Sequence, residues 1–487
     1  MQYIGIDLGT SAVKLLLMQS DGTVLSSISN DYPVSYPKSG WSEQDPLDWL
    51  HQTLAGLSEL VATSQADKSQ IKGIGIGGQM HGLVVLDKND QVIRPAILWN
   101  DGRSNEETDY LNSVIGQKKL ARYTGNIAFA GFTAPKILWM QKHEPEKFAA
   151  ISKIMLPKDY LVYMLTGSFT TDVSDASGML LLDVKNRRWS SEMVAICGIS
   201  EQMLPDIHES YDIAGYIKAD IVDSLGLTGA IAIVAGASDN AAAAIGTDTL
   251  ENGSCTISLG TSGTVFIASD TFLAPENNAI HSFAHANGKY HLMGCMLSAA
   301  SCLKWWQEDI LKTTDYQGEQ EKIKGLGDNP VYFLPYLMGE RSPHNDPNVR
   351  GAFLGLGMDT TRAQMAEAVF EGVSFALKDS MEIARSLGVK IHSTKLCGGG
   401  AKSPVWQQIL ANILNMELEI LEIEEGPALG GAILVAVACG EYASVEEAAK
   451  VIVKVKEIIK PNPELILVYQ QKYLVFRNLY PAIKGLL

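Results

Sequence analysis

Residues 2–18, QYIGIDLGTSAVKLLLM, run an apolar segment into a Leu-Gly-Thr-Ser turn and out into a second apolar segment. Residues 254–269, SCTISLGTSGTVFIAS, do the same about half the chain later. Each reads as a β-hairpin closed by a short glycine-containing turn. Such a turn can direct consecutive backbone N–H groups into one concave spot, a nest that holds anions without a net positive field. Gly9 and Gly260 let the backbone approach a phosphate closely, and Thr10, Ser11, Thr261 and Ser262 add hydroxyl donors. Two equivalent turns imply a phosphate chain gripped from both sides. Only the first follows an aspartate, Asp7, which suits one Mg²⁺ bound through water. The residues alone leave a second reading open, in which both turns are ordinary and Asp7 caps its own backbone.

Outward from the first hairpin, Asp21-Gly22 turns the chain into a third strand. A helix follows over 45–64, with Pro46 in its opening turn and apolar residues at helical spacing from Trp49 to Val61. IKGIGIGG (71–78) is the next strand. The second half repeats the hairpin, then carries a long helix over 360–388 and a strand running into Gly398-Gly399-Gly400. This is one distant duplication rather than a solenoid repeat. The fold class is α/β in two halves, 1–245 and 246–487, which share a cleft because no flexible linker parts them.

Bulk properties narrow the function. A chain of 487 residues needs more than one core. Its net charge of −16 argues against a nucleic-acid partner. The six cysteines form no Cys-x-x-Cys pair, as expected of free thiols in a reducing compartment. The most hydrophobic run, residues 430–440, is well short of the about 20 residues that cross a bilayer. A cytoplasmic protein with no membrane partner is therefore expected. Gly73, Gly75 and Gly78 satisfy G-x-G-x-x-G, but the chain continues into another strand, so a dinucleotide site lacks its helix.

The ordered series IGIDLGTSAVK, GQMHG, ILWNDGR, GFTAPKILWMQKHEP, LPKDYLVYMLTG, GASDNAAAAIG, SLGTSGTVF, FLPYLMGERSPHNDPNVRGAFLGL and CGGGAKSPVWQQILANIL resembles the FGGY carbohydrate kinases, and within them the xylulokinases. The resemblance covers about residues 2–440. It implies two actin-like, ribonuclease-H-type domains around a deep cleft, the N-terminal one mainly for sugar and the C-terminal one mainly for ATP. It implies transfer of phosphate from ATP to D-xylulose. Another ketose or polyol acceptor, or a sugar-independent nucleotide switch, stands as the alternative, and homodimerisation is left open.

Each residue role has a plainer counterpart. Asp239 opens an alanine-rich helix and alone reads as a cap; the resemblance makes it the general base. Lys14 could reach a terminal phosphate or simply be solvated. Gln79, Met80 and His81 follow a strand end, and the resemblance puts Met80 and His81 on the sugar, with Asn240 beside them. Trp99, Asn100 and Asp101 suit the opposite wall, an aromatic face with a polar rim, although Trp99 also fits a core. Gly399, Gly400, Ala401 and Ser403 precede a helix start, and the resemblance assigns them to adenosine, with Gln407 and Asn412 as weaker members. His281 and His285 read as structural, and Glu340 with Arg341 as a pair bracing the cleft.

Overall fold

A computed structural model describes residues 1–63, 67–275, 278–423 and 425–486. The first half is built on a seven-stranded sheet. Its strands are β1 (Gln2–Leu8), β2 (Ala12–Gln19), β3 (Val24–Asp31), β4 (Ile71–Gly78), β5 (Ile213–Tyr216), β6 (Ala232–Val234) and β7 (Ala237–Ser238). They lie in the order β5-β6-β4-β1-β2-β3, with β7 beside the end of β4. β1 is antiparallel to β2 and parallel to β4.

The second half has seven strands as well: β8 (Ser254–Leu259), β9 (Gly263–Ser269), β10 (His281–Ala284), β11 (Tyr290–Met296), β12 (Ser393–Cys397), β13 (Leu418–Leu421) and β14 (Val455–Ile459). Their order is β10-β11-β9-β8-β12-β13-β14. β8 is antiparallel to β9 and parallel to β12, so it stands to its sheet as β1 stands to the first. The sequence repeat is thus a repeat of topology, with a hairpin turn at the same end of each central strand.

Helix α1 (Pro46–Thr63) begins at Pro46 and buries Trp49, Leu57, Leu60 and Val61. Helix α2 (Asp239–Gly246) and helix α3 (Gly426–Ala438) pack against each other between the halves. Although α3 comes late in the chain, it lies on β1 and β4 of the first sheet. That approach needs bare backbone. A Cβ on Gly5 would sit 1.8 Å from the Ala428 carbonyl oxygen, and one on Gly75 only 1.9 Å from that of Gly431. The glycines that mimic a dinucleotide motif therefore exist for helix–sheet packing.

Candidate active site

The two hairpin turns face the cleft with their carbonyls already occupied. Gly9 O accepts from the Tyr32 hydroxyl at 2.5 Å and from Gln79 Nε2 at 3.3 Å, and Thr10 O accepts from Gln44 Nε2 at 2.6 Å. In the second turn Gly260 O and Thr261 O accept the amides of Ala300 and Ala299 at 2.8 and 2.9 Å, and Ser301 Oγ donates to Thr261 O as well. Pinning these carbonyls keeps their negative ends from competing at an anion site, although the Gly9 amide itself donates to Ala12 O at 3.0 Å.

Asp7 ends β1 and is paired across the strands with Lys14. Its carboxyl accepts no hydrogen bond among the described residues, and burial followed by the charge of Asp239 pushes it up to about 7. The charge of Asp239 disfavours a second negative charge at Asp7, so a proton or a cation there is favoured. An oxygen-donor group with free lone pairs fits Mg²⁺, which is commonly held by one or two carboxylates together with phosphate oxygens. Among the described residues no cluster of three metal-ligating side chains occurs. Lys14 Nζ lies 3.3 Å from Glu425 on the approach to α3, and half of its side chain is exposed.

Asp239 opens α2, yet Ser238 is the cap: its hydroxyl accepts from the Ala241 amide. Asp239 is thus released from the role that its position alone predicts. Its Oδ1 accepts from the Asn240 amide at 2.7 Å and Asn240 Nδ2 at 2.9 Å, and Oδ2 has no donor among the described residues. Burial pushes the carboxyl up to about 6, and the Asn240 hydrogen bonds oppose that rise.

Sequence reasoning missed what holds this aspartate. Lys158 Nζ, fully buried, lies 2.7 Å from Asp159, 3.1 Å from Asp172 and 2.9 Å from Ala235 O. Asp172 in turn accepts from Ser174 and Ser210 hydroxyls, and Ser174 Oγ accepts the Ser238 amide at 3.1 Å. The chain of bonds ends one residue from Asp239. Its signal was the polar run DVSDAS (172–177) between apolar segments, which periodicity treats as surface but the fold buries.

His81 sits with φ of 68°, in the left-handed region that a bulky residue occupies only when its surroundings compel it. Thr133 Oγ1 and the buried Lys136 Nζ both donate to His81 O, at 3.1 and 2.9 Å, which compels it. The ring stacks on Phe132 at 4.6 Å. Burial, then Lys136, lowers the imidazole well below its usual range, so it is neutral. Nδ1 lies 2.7 Å from Gly178 O, a partner that only accepts, so Nδ1 carries the proton. Nε2 is then a bare acceptor for a hydroxyl. Met80 is buried beside it, with its sulfur 3.8 Å from Asn240 Nδ2, and the Gln79 carbonyl oxygen is buried without a donor.

Trp99 is not core: it is 37 % exposed and donates from Nε1 to Thr10 Oγ1 at 2.9 Å, tying the far wall to the first turn. Asn100 beside it is exposed. Asp101 is committed elsewhere, with Oδ2 taking the Ser42 amide at 2.6 Å and both oxygens bonded to Arg103. Its polarity is consumed in bracing this wall.

On the second half, a cavity of about 1030 Å³ opens beside the second turn, lined by Gly260, Thr261, Ala300, Gly399, Gly400 and Ser403 among others. A Cβ on Gly399 would meet nothing within 4 Å, so that glycine leaves open space for a flat ligand. Ala401 is buried behind the glycines, with its carbonyl accepting from Gln407 Nε2 at 2.7 Å. Ser403 accepts from the Trp406 amide as the helix cap and donates to Gln320. Asn412 is buried and takes the Asn462 amide at 2.7 Å, so it serves packing rather than adenosine. His285 is structural as expected, 3.0 Å from Thr249 O. The expected Glu340–Arg341 pair does not form among the described residues: Glu340 Oε1 instead takes the amides of Leu297 and Arg341, at 3.1 and 2.7 Å.

Two glycine turns with occupied carbonyls, the Asp7 carboxyl beside the first, and Asp239 lining a cavity with Ser258 and Thr264 of the second half are an arrangement suited to phosphoryl transfer. The sequence matches the model of the FGGY family of carbohydrate kinases, N-terminal domain, over residues 2–246 and C-terminal domain over 255–439. The chain belongs to that family and is a carbohydrate kinase. It is 40% identical to the xylulose kinase of Escherichia coli K12 over the whole of both chains. The crystal structure of a kinase from Brucella ovis, described as a xyloylose kinase, superposes with a TM-score of 0.95 at 38% identity, covering all of both chains. A gluconate kinase structure from Lactobacillus acidophilus reaches 0.94 at 26% identity over 99% of this chain and 98% of that one. No helix among the described residues is long and apolar enough to cross a membrane.

Proposed function

We propose that the chain transfers the terminal phosphoryl group of ATP to D-xylulose, giving D-xylulose 5-phosphate. The observation that supports the chemistry is the free Oδ2 of Asp239, which lines a cavity together with Ser258 and Thr264 of the second half. The choice of acceptor rests on the xylulose kinases that match this chain from end to end. Adenosine occupies the cavity at Gly399 and Gly400, and the phosphates run to Thr261, Ser262, Thr10 and Ser11. Mg²⁺ on Asp7 neutralises phosphate charge when bound.

Asp239, ionised, accepts the proton of the attacking hydroxyl as the phosphoryl group departs from ADP. Neutral His81 accepts a sugar hydroxyl at Nε2 while Met80 and Trp99 offer apolar surface. Approach of the two halves excludes water, which would otherwise take the phosphoryl group. The test is Mg²⁺-dependent ATP consumption with D-xylulose, D-ribulose, L-ribulose, gluconate, glycerol or no acceptor. D-Xylulose should lead in kcat/KM. A different preferred acceptor would retire the substrate, and turnover indifferent to every sugar would retire the kinase reading of Asp239.

A further inference from the structure

Arg341 belongs to the second half of the chain, yet its guanidinium meets the first. Its carbon lies 5.2 Å from the Phe129 ring centroid, in cation–π range. Its Nη2 would stand 3.8 Å from a Cβ on Gly131. The Gly131 carbonyl takes Lys136 Nζ at 2.7 Å, and that ammonium also holds His81 O. Phe129, Phe132, His81 and His281 form one aromatic group drawn from both halves, with neighbouring centroids 4.6 to 5.3 Å apart along the path. Arg341 caps this group.

The guanidinium is also uncommitted. Among the described residues no carboxylate lies within 4 Å of it, because Glu340 spends its near oxygen on backbone amides. Among the described residues its side-chain hydrogen-bond partner is the Cys295 thiol, a weak one. Five N–H donors in a half-buried position, beside an imidazole that awaits a hydroxyl, call for oxygen acceptors from a ligand. Position tells which end of the ligand. The Phe129 ring it covers packs on Phe132, which stacks on His81, and a Cβ on Gly131, which it meets, would lie 2.4 Å from the Trp99 carbonyl oxygen. Arg341 is thus on the His81 and Trp99 side of the cleft.

Building on the acceptor reading above, we propose that Arg341 determines acceptor specificity by donating hydrogen bonds to the sugar's oxygens remote from the reacting hydroxyl. The carbonyl and terminal hydroxyl of a 2-ketopentose supply two acceptors for its planar fork. Because it is carried by the opposite half, a bound sugar of sufficient length bridges the halves through it. A three-carbon acceptor ends short of it.

The experiment compares D-xylulose with glycerol in the wild type, Arg341→Gln and Arg341→Lys. A lost hydrogen bond from a charged donor predicts that Arg341→Gln lowers kcat/KM for D-xylulose roughly 10- to 100-fold, mostly through KM. The loss on glycerol should be smaller by about tenfold, because the contact is absent there. Arg341→Lys, which keeps the charge without the fork, should fall between. D-Xylulose binding, followed by tryptophan fluorescence, should weaken in parallel and confirms folding of each variant. Equal losses on both acceptors, or an unchanged KM for D-xylulose, would overturn the proposal and leave Arg341 as a brace. Should the wild type prefer another acceptor, the acceptor reading fails. The same comparison with that acceptor against glycerol then decides Arg341 separately.

Discussion

Asp239 and His81 show how environment, rather than residue type, assigns a role. Burial raises the Asp239 carboxyl to about 6, and the two Asn240 hydrogen bonds limit that rise by favouring the charged form. A base must be ionised to accept a proton, so kcat/KM for D-xylulose should fall about tenfold per pH unit below roughly pH 6. Removing the Nδ2 hydrogen bond in Asn240→Ala, which keeps the backbone one, should move this acid limb to higher pH, since the charged form loses part of its support. A limb that stays in place in pH–rate profiles would show that another group controls it. The aspartate, the turns and the histidine were legible from motif order. Invisible in the sequence was that Ser238 takes over the capping, and that Lys136 forces the His81 backbone. The cap is a local bond from the Ala241 amide to Ser238, whereas Lys136 reaches His81 from a distant segment. Asp101 reads as a sugar contact only while Arg103 and Ser42 are unplaced.

At the level of elements, alternation and glycine turns in the sequence located β1, β2 and β4, and Pro46 marked the start of α1. The glycines of β4 were harder to interpret, because a local pattern cannot reveal a helix from 350 residues onward. Gly73 and Gly75 make room for α3, whose Gly431 meets Gly75 while its Gly430 lies against Ala242 of α2. Gly75→Ala should therefore destabilise the protein by about 3 kcal/mol or more, through forced separation of α3 from the sheet. Gly102→Ala, whose added Cβ meets nothing nearer than 3.6 Å, should change stability little. Thermal unfolding of the two variants checks this. A Gly75→Ala midpoint equal to wild type would mean that α3 shifts freely.

Across the whole molecule, the duplication answers why one turn has an aspartate and the other does not. The halves repeat a topology, but the proposed site is asymmetric: on that reading the acceptor lies mainly on the first half, and the nucleotide in the second-half cavity beside Gly399 and Gly400. The packing of α3 onto the first sheet couples the halves, and the Lys14–Glu425 pair joins them beside Asp7. The sequence revealed the repeat and its turns. Arg341 escaped it, since Glu340 stands next in sequence and offers the obvious, but unformed, partner. The most direct measurement is turnover and substrate binding by Asp239→Asn in the presence of Mg²⁺. The account predicts a fall in kcat of about 10³-fold or more, with D-xylulose and ATP still bound within a few-fold of wild type. Turnover near the wild-type rate would contradict it, because proton removal would then not pass through Asp239.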